Sequence, residues 1–87
     1  MQLTRYSDYS LRVLIYLAVA PDPLVTIQEI ARSYGISKAH LMKVVHQLGL
    51  RGYVETVRGR GGGLRLARRP EAIGVGDVVR STEENMD

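Results

Sequence analysis

Residues 57–63 read VRGRGGG, two arginines and four glycines in seven positions. A little earlier Lys38, His40 and Lys43 stand in a segment with helical spacing. Arginine and lysine pair with phosphate oxygens, and with small polar neighbours they also meet base edges. Three readings compete for the glycine-rich stretch: a phosphate cradle, a plain turn, or a hairpin tip that carries arginines to a ligand. A phosphate-binding P-loop needs G-x-x-x-x-G-K-[ST] between a strand and a long helix. No Lys-Ser/Thr follows these glycines, and the next residues alternate like a strand. Glycines serve positive φ in hairpin turns whatever the function, so the plain turn stays open. Four glycines exceed what a tight turn needs, though, and they admit a ligand close to the backbone. The arginine-bearing tip is the favoured reading.

Other chemistry finds little support. There are no cysteines, hence no disulfide framework and no thiolate metal site in these residues. His40 and His46 are six apart, not the i, i+4 of a shared helix face, and no third metal ligand is near. The carboxylates are scattered, and no serine has a base beside it, so the chain does not read as an enzyme. The five tyrosines suit core or rim positions better than stacking platforms.

The totals bound the rest. Eighty-seven residues, 45% hydrophobic, suffice for one domain with a small core, 1–87. No apolar run is long enough to span a bilayer and no signal-peptide pattern opens the chain, so a cytoplasmic protein is expected, without a membrane partner. The net charge of +3 is unevenly spread. Between residues 32 and 69 lie Arg32, Lys38, Lys43, Arg51, Arg58, Arg60, Arg65, Arg68 and Arg69, opposed by Glu55 alone. Nine cations against one anion make that segment +8 and leave −5 for the remainder. A basic middle suggests a polyanionic partner; a solvated surface is the plainer alternative.

Hydrophobic spacing supplies the elements that position these groups. Residues 4–20 predict a helix, with Tyr9, Val13, Tyr16, Leu17 and Ala20 on its buried face and Thr4 or Ser7 as cap. Pro21-Asp22-Pro23 ends it. Thr26 and Glu29 form a T-x-x-E capping box ahead of Ile27, Ile30, Ala31 and Tyr34, and Gly35 stops that helix. Ser37 caps a third helix, which buries Leu41, Val44, Val45 and Leu48 and ends at Gly49 and Gly52. Residues 53–58 and the alternating Leu64 and Leu66 predict two strands around a turn at 59–62. Residues 75–84 predict a last helix with Val78 and Val79 inward and Asp77 near its positive end.

Two helices joined by a tight turn and followed by a basic hairpin define a winged helix-turn-helix, an α+β fold that is mostly α with a two-stranded wing. The third helix then exposes Lys38, Ala39, His40, Met42, Lys43, His46 and Gln47. The DNA-binding candidates are Thr26, Ser37, Lys38, Ala39, His40 and Lys43, with Arg58, Gly59, Arg60 and Gly61 at the wing tip. A sequence-specific DNA-binding domain is the leading reading. A general RNA- or ribosome-associated module and a protein-binding scaffold are the alternatives. Concentration of charge disfavours the scaffold, and the narrow major groove of RNA disfavours a duplex-RNA helix reader.

The segments LTRYSDYSLRVLIYLA, TIQEIARSYGISKAHLMKVVHQLGLRGYVETVRGRGGGLRLA and GVGDVVRSTE together resemble the Rrf2 family of bacterial winged-helix regulators. HLMKVVHQLG with VETVRGRGGG is most similar to its nitric-oxide-sensing, nitrite-sensitive repressor branch. The resemblance covers nearly all of the chain. It implies a homodimer on a palindromic double-stranded operator, repressing nitrosative-stress genes. It also implies an iron–sulfur cluster, 4Fe–4S or 2Fe–2S, in the full-length protein. The three cluster cysteines and a dimerisation helix are expected after residue 87. By the same resemblance Asp8 matches a carboxylate that can complete the partner subunit's cluster. An acid near a helix start also favours the helix dipole without any cluster.

Overall fold

The computed structural model describes residues 4–84; the expected domain, 1–87, also includes residues 1–3 and 85–87, which lie outside the described residues. Three helices come first: α1, Arg5–Val19; α2, Ile27–Tyr34; and α3, Lys38–Leu50. Strands β1, Val54–Val57, and β2, Gly63–Leu66, form an antiparallel hairpin. A single 3₁₀ turn, Pro70–Ala72, leads to α4, Val75–Glu84. This is the α+β, mostly helical architecture with a short wing that the residue pattern predicts.

The starts of α1, α2 and α3 are written in side chains. The Thr4 hydroxyl accepts from the Ser7 amide at 3.1 Å, so Thr4 and not Ser7 caps α1. Thr26 accepts from the Glu29 amide at 3.1 Å, and Ser37 from the His40 amide at 3.4 Å. Both satisfy donors that helix geometry leaves unpaired. Gly35 ends α2 in the left-handed region at φ 67°, and the Ile36 amide closes on the Ala31 carbonyl at 3.0 Å. That glycine makes the α2–α3 turn tight. α3 continues through Gly49 to Leu50, one residue beyond the first expected stop, and the chain turns out at Arg51 and Gly52.

One core joins all elements. Val13 and Leu14 of α1, Ile30 of α2, and Leu41, Val44, Val45 and Leu48 of α3 pack with Tyr53, Val54, Leu64 and Val78. The inner face of α1 differs from the apolar stripe expected. Tyr9, Tyr16, Leu17 and Ala20 are only partly buried, whereas Ser7 and Ser10 are fully buried. Ser7 Oγ and Thr82 Oγ1 share a hydrogen bond of 2.6 Å, and Ser10 donates to the Tyr6 carbonyl at 2.9 Å. Small side chains with satisfied hydroxyls let α4 come close to α1, which a periodicity count of apolar residues does not register.

The hairpin pairs Val54 with Leu66 and Val57 with Gly63. It also gains a bridge from the loop before α2: the Val25 amide donates to the Leu64 carbonyl at 3.0 Å and the Leu64 amide to the Val25 carbonyl at 2.7 Å. The wing is therefore fastened to both ends of the helix-turn-helix unit, to α2 through Val25 and to α3 through Tyr53, whose amide donates to the Leu48 carbonyl at 3.0 Å.

Candidate nucleic-acid interface

The apolar stripe of α3 determines which of its side chains face outward. With Leu41, Val44, Val45 and Leu48 buried, Lys38, Ala39, His40, Met42, Lys43 and His46 are all exposed. The side chains of Lys38 and Lys43 make no ion pair or hydrogen bond among the described residues. Ser37 stands exposed at the start of the same helix. Thr26 is exposed at the start of α2, its hydroxyl engaged by the cap.

At the other end of the unit, Arg58, Gly59, Arg60 and Gly61 are exposed at the hairpin tip. Gly59 and Gly61 have φ of 97° and 77°, and the Gly62 amide closes on the Gly59 carbonyl at 3.0 Å. A Cβ at Gly62 would collide with the Val57 carbonyl oxygen, and one at Gly63 would lie 2.9 Å from the Val25 oxygen. All four glycines are thus required by the chain's own path. The surplus that favoured a ligand-approaching tip in the sequence has a structural cause, and the two arginines carry the reading instead.

The nine cations of residues 32–69 divide into two groups. Arg65 pairs with Glu55 across the hairpin at 3.3 Å. Arg68 donates to the carbonyls of Gly52 and Arg51 and lies over the Tyr53 ring, 4.7 Å from its centroid. Arg51 is half-buried with its Nε sequestered. Arg68 thus braces the α3–wing junction, and Arg65 the hairpin itself. The side chains of Arg32, Lys38, Lys43, Arg58, Arg60 and Arg69 remain exposed, with no ion pair or hydrogen bond among the described residues. Exposed cations without internal partners favour a polyanion.

Sequence reasoning missed the part that α1 plays. The Tyr9 and His40 ring centroids are 6.5 Å apart, so α1 touches the exposed face of α3. Tyr6 lies beside Lys43, His46 and Gln47. Its hydroxyl is buried, which raises its pKa, and the Arg51 guanidinium offsets part of that rise. The i, i+3 spacing of Tyr6 and Tyr9 was visible, but only the α1–α3 packing shows which neighbour they meet. Further along, Arg12 lies over the Tyr34 ring, 5.4 Å from its centroid, and Tyr34 donates to the Arg12 carbonyl, tying α1 to α2.

Residues 3–87 match the family described as Rrf2, iron-dependent transcriptional regulator. The chain belongs to the Rrf2 family. It is 59% identical over 88 residues to the HTH-type transcriptional regulator NsrR of Bacillus subtilis, and 58% identical to the protein of that name from Bacillus licheniformis. The whole chain is covered in both, against 60% and 62% of those relatives, so it spans about three fifths of their length. Among solved Rrf2 structures, CymR, the global cysteine regulator of B. subtilis, superposes with a TM-score of 0.89 at 30% identity, over 95% of this chain and 65% of that one. IscR of T. potens does so with 0.89 at 31% identity, over 100% of this chain and 64% of that one. These likenesses make the family's activity regulatory and not enzymatic.

The residues present do not fit an iron–sulfur cluster. Such clusters are held chiefly by thiolates, and these 87 residues contain no cysteine. Asp8 is engaged by Arg12, whose Nε lies 3.0 Å from its carboxylate. Among the described residues no group of three or more His, Cys, Asp or Glu could hold a metal ion, and no helix is long and apolar enough to cross a membrane.

Proposed function

We propose that these residues form the DNA-binding part of a sequence-specific transcriptional repressor. α3 enters the major groove with Lys38, Ala39, His40 and Lys43 toward base edges, and Ser37 and Thr26 sit at helix starts suited to phosphate. Arg58 and Arg60, with Gly59 and Gly61, reach the backbone or a narrow minor groove. The observation that carries this reading is the division of the cations. Arg65 and Arg68 are engaged by internal partners, while the side chains of Lys38 and Lys43 on α3 and of Arg58 and Arg60 at the tip are left exposed and unpaired.

The likeness to the NsrR proteins supports a finer reading for the whole protein: a cytoplasmic homodimer on a palindromic operator, repressing nitrosative-stress genes and released by nitric oxide. A 4Fe–4S or 2Fe–2S cluster would be its sensor, with thiolates from outside these 87 residues, and the Asp8 carboxylate is a candidate further ligand.

The test is a competition between a duplex selected by the chain from a random pool, an unselected duplex and a structured RNA. Preference for the selected duplex, weakening steeply with salt, is the expected result. Equal or tighter binding of the RNA would assign the surface to RNA. No salt-dependent binding of either nucleic acid would leave a protein-binding scaffold.

A further inference from the structure

Arg5 lies outside the basic segment of residues 32–69, in the part of the chain with net negative charge. Folding moves it to another neighbourhood. Arg5, Tyr6, Tyr9, His40, Lys43 and Val44 line one open hollow of about 270 Å³ between the start of α1 and the exposed face of α3. Tyr6 and Lys43 also line an adjoining hollow with His46 and Gln47. Arg5 is exposed, and its side chain makes no ion pair or hydrogen bond among the described residues. The carboxylate of Asp8, one turn on, is taken by Arg12. The Tyr6 hydroxyl is buried without a hydrogen-bond partner among the described residues.

Arg5 is also in the wrong place for the helix itself. It is the first residue of α1, where the macrodipole disfavours a positive charge. Such a charge, which no side chain of the fold pairs with, points to a role outside it. A helix in the major groove has a phosphate strand along each side. Arginine, lysine and tyrosine are among the side chains that meet phosphate oxygens there.

We propose that Arg5, with Tyr9 beside it, is a further DNA anchor, holding a backbone phosphate on the strand that passes the α1 side of α3. The inference rests on the DNA-binding reading above and extends that interface to a third element. Its contact is with phosphate, so it acts on every sequence alike.

The experiment titrates the 87-residue chain and its Arg5→Ala and Arg5→Lys variants with an unselected duplex across a range of salt concentrations. Lys43→Ala and Arg58→Ala are run in parallel. Arg5→Ala is expected to weaken binding and lower the salt slope by about 0.9, the value for one lost phosphate contact. Arg5→Lys keeps the parent's slope. The thermal midpoint of Arg5→Ala stays level or rises slightly, because the unfavourable charge at the helix start is gone. Parental affinity and slope for Arg5→Ala, while Arg58→Ala weakens, would overturn this inference alone. If neither the parent nor any variant binds duplex in a salt-dependent way, the DNA-binding reading falls and the Arg5 anchor with it.

Discussion

In α3, four buried side chains anchor the helix, and the exposed Lys38, His40 and Lys43 take their directions from that anchoring. At the hairpin tip no residue between Val57 and Leu64 is buried. The tip takes its shape from backbone alone: the Gly62–Gly59 hydrogen bond, the two left-handed glycines and the close approach of Gly62 to Val57. The two regions offer similar cations by different means. Base edges demand direction, and a packed helix supplies it. Phosphates demand mainly charge, and an unpacked tip on a fastened hairpin is sufficient.

By that contrast, side-chain truncation damages one region and an added methyl damages the other. The largest effect is expected for Leu41→Ala. Leu41 is fully buried, and removing such a side chain from a core costs about 2–5 kcal/mol. Chemical denaturation should show most of a small domain's stability lost. Gly62→Ala comes next, at about 1–3 kcal/mol, because its Cβ has no room against the Val57 carbonyl. Hydrogen exchange should accelerate at the Val25 and Leu64 amides while the α3 amides stay protected. Equal acceleration in both would mean that wing and helix open as one unit.

The caps divide the helices more finely. Thr26→Ala should cost about 1 kcal/mol and Ser37→Ala less, since the Ser37 cap bond is the longer, 3.4 against 3.1 Å. Thermal unfolding of the two variants ranks them, and the reverse order would show that the α3 start is held more by its cap than by Leu41.

Much of α2 and α3 was legible because their signals are local. T-x-x-E, Gly35, Ser37 and an apolar i, i+3, i+4, i+7 pattern all lie within a few residues of what they govern. The hairpin followed from β-forming residues flanking glycines, and α4 from Val78 and Val79. What escaped depends on distant partners. Ser7 and Ser10 are polar and were not read as an inner face, because Thr82, 75 residues from Ser7, is needed to explain it. The Val25–Leu64 bridge joins segments that no periodicity links. Arg65 and Arg68 counted as free charge until Glu55 and Tyr53 were found beside them. Among the candidate site residues, those on α3 followed from the stripe opposite Leu41, Val44, Val45 and Leu48. The four glycines were legible as a turn, but their reason, the closeness of Val57 and Val25, was not.

On the proposed reading, α3 reads bases while the wing tip holds phosphates. Its most direct test measures the affinities of parent, Lys43→Ala and Arg58→Ala chains for a selected and an unselected duplex over a series of salt concentrations. Lys43→Ala is expected to narrow the ratio between the two duplexes. Arg58→Ala is predicted to preserve that ratio, weaken both alike and lower the salt slope by about one unit. A loss of discrimination in Arg58→Ala with none in Lys43→Ala, or parental behaviour in both, would contradict it.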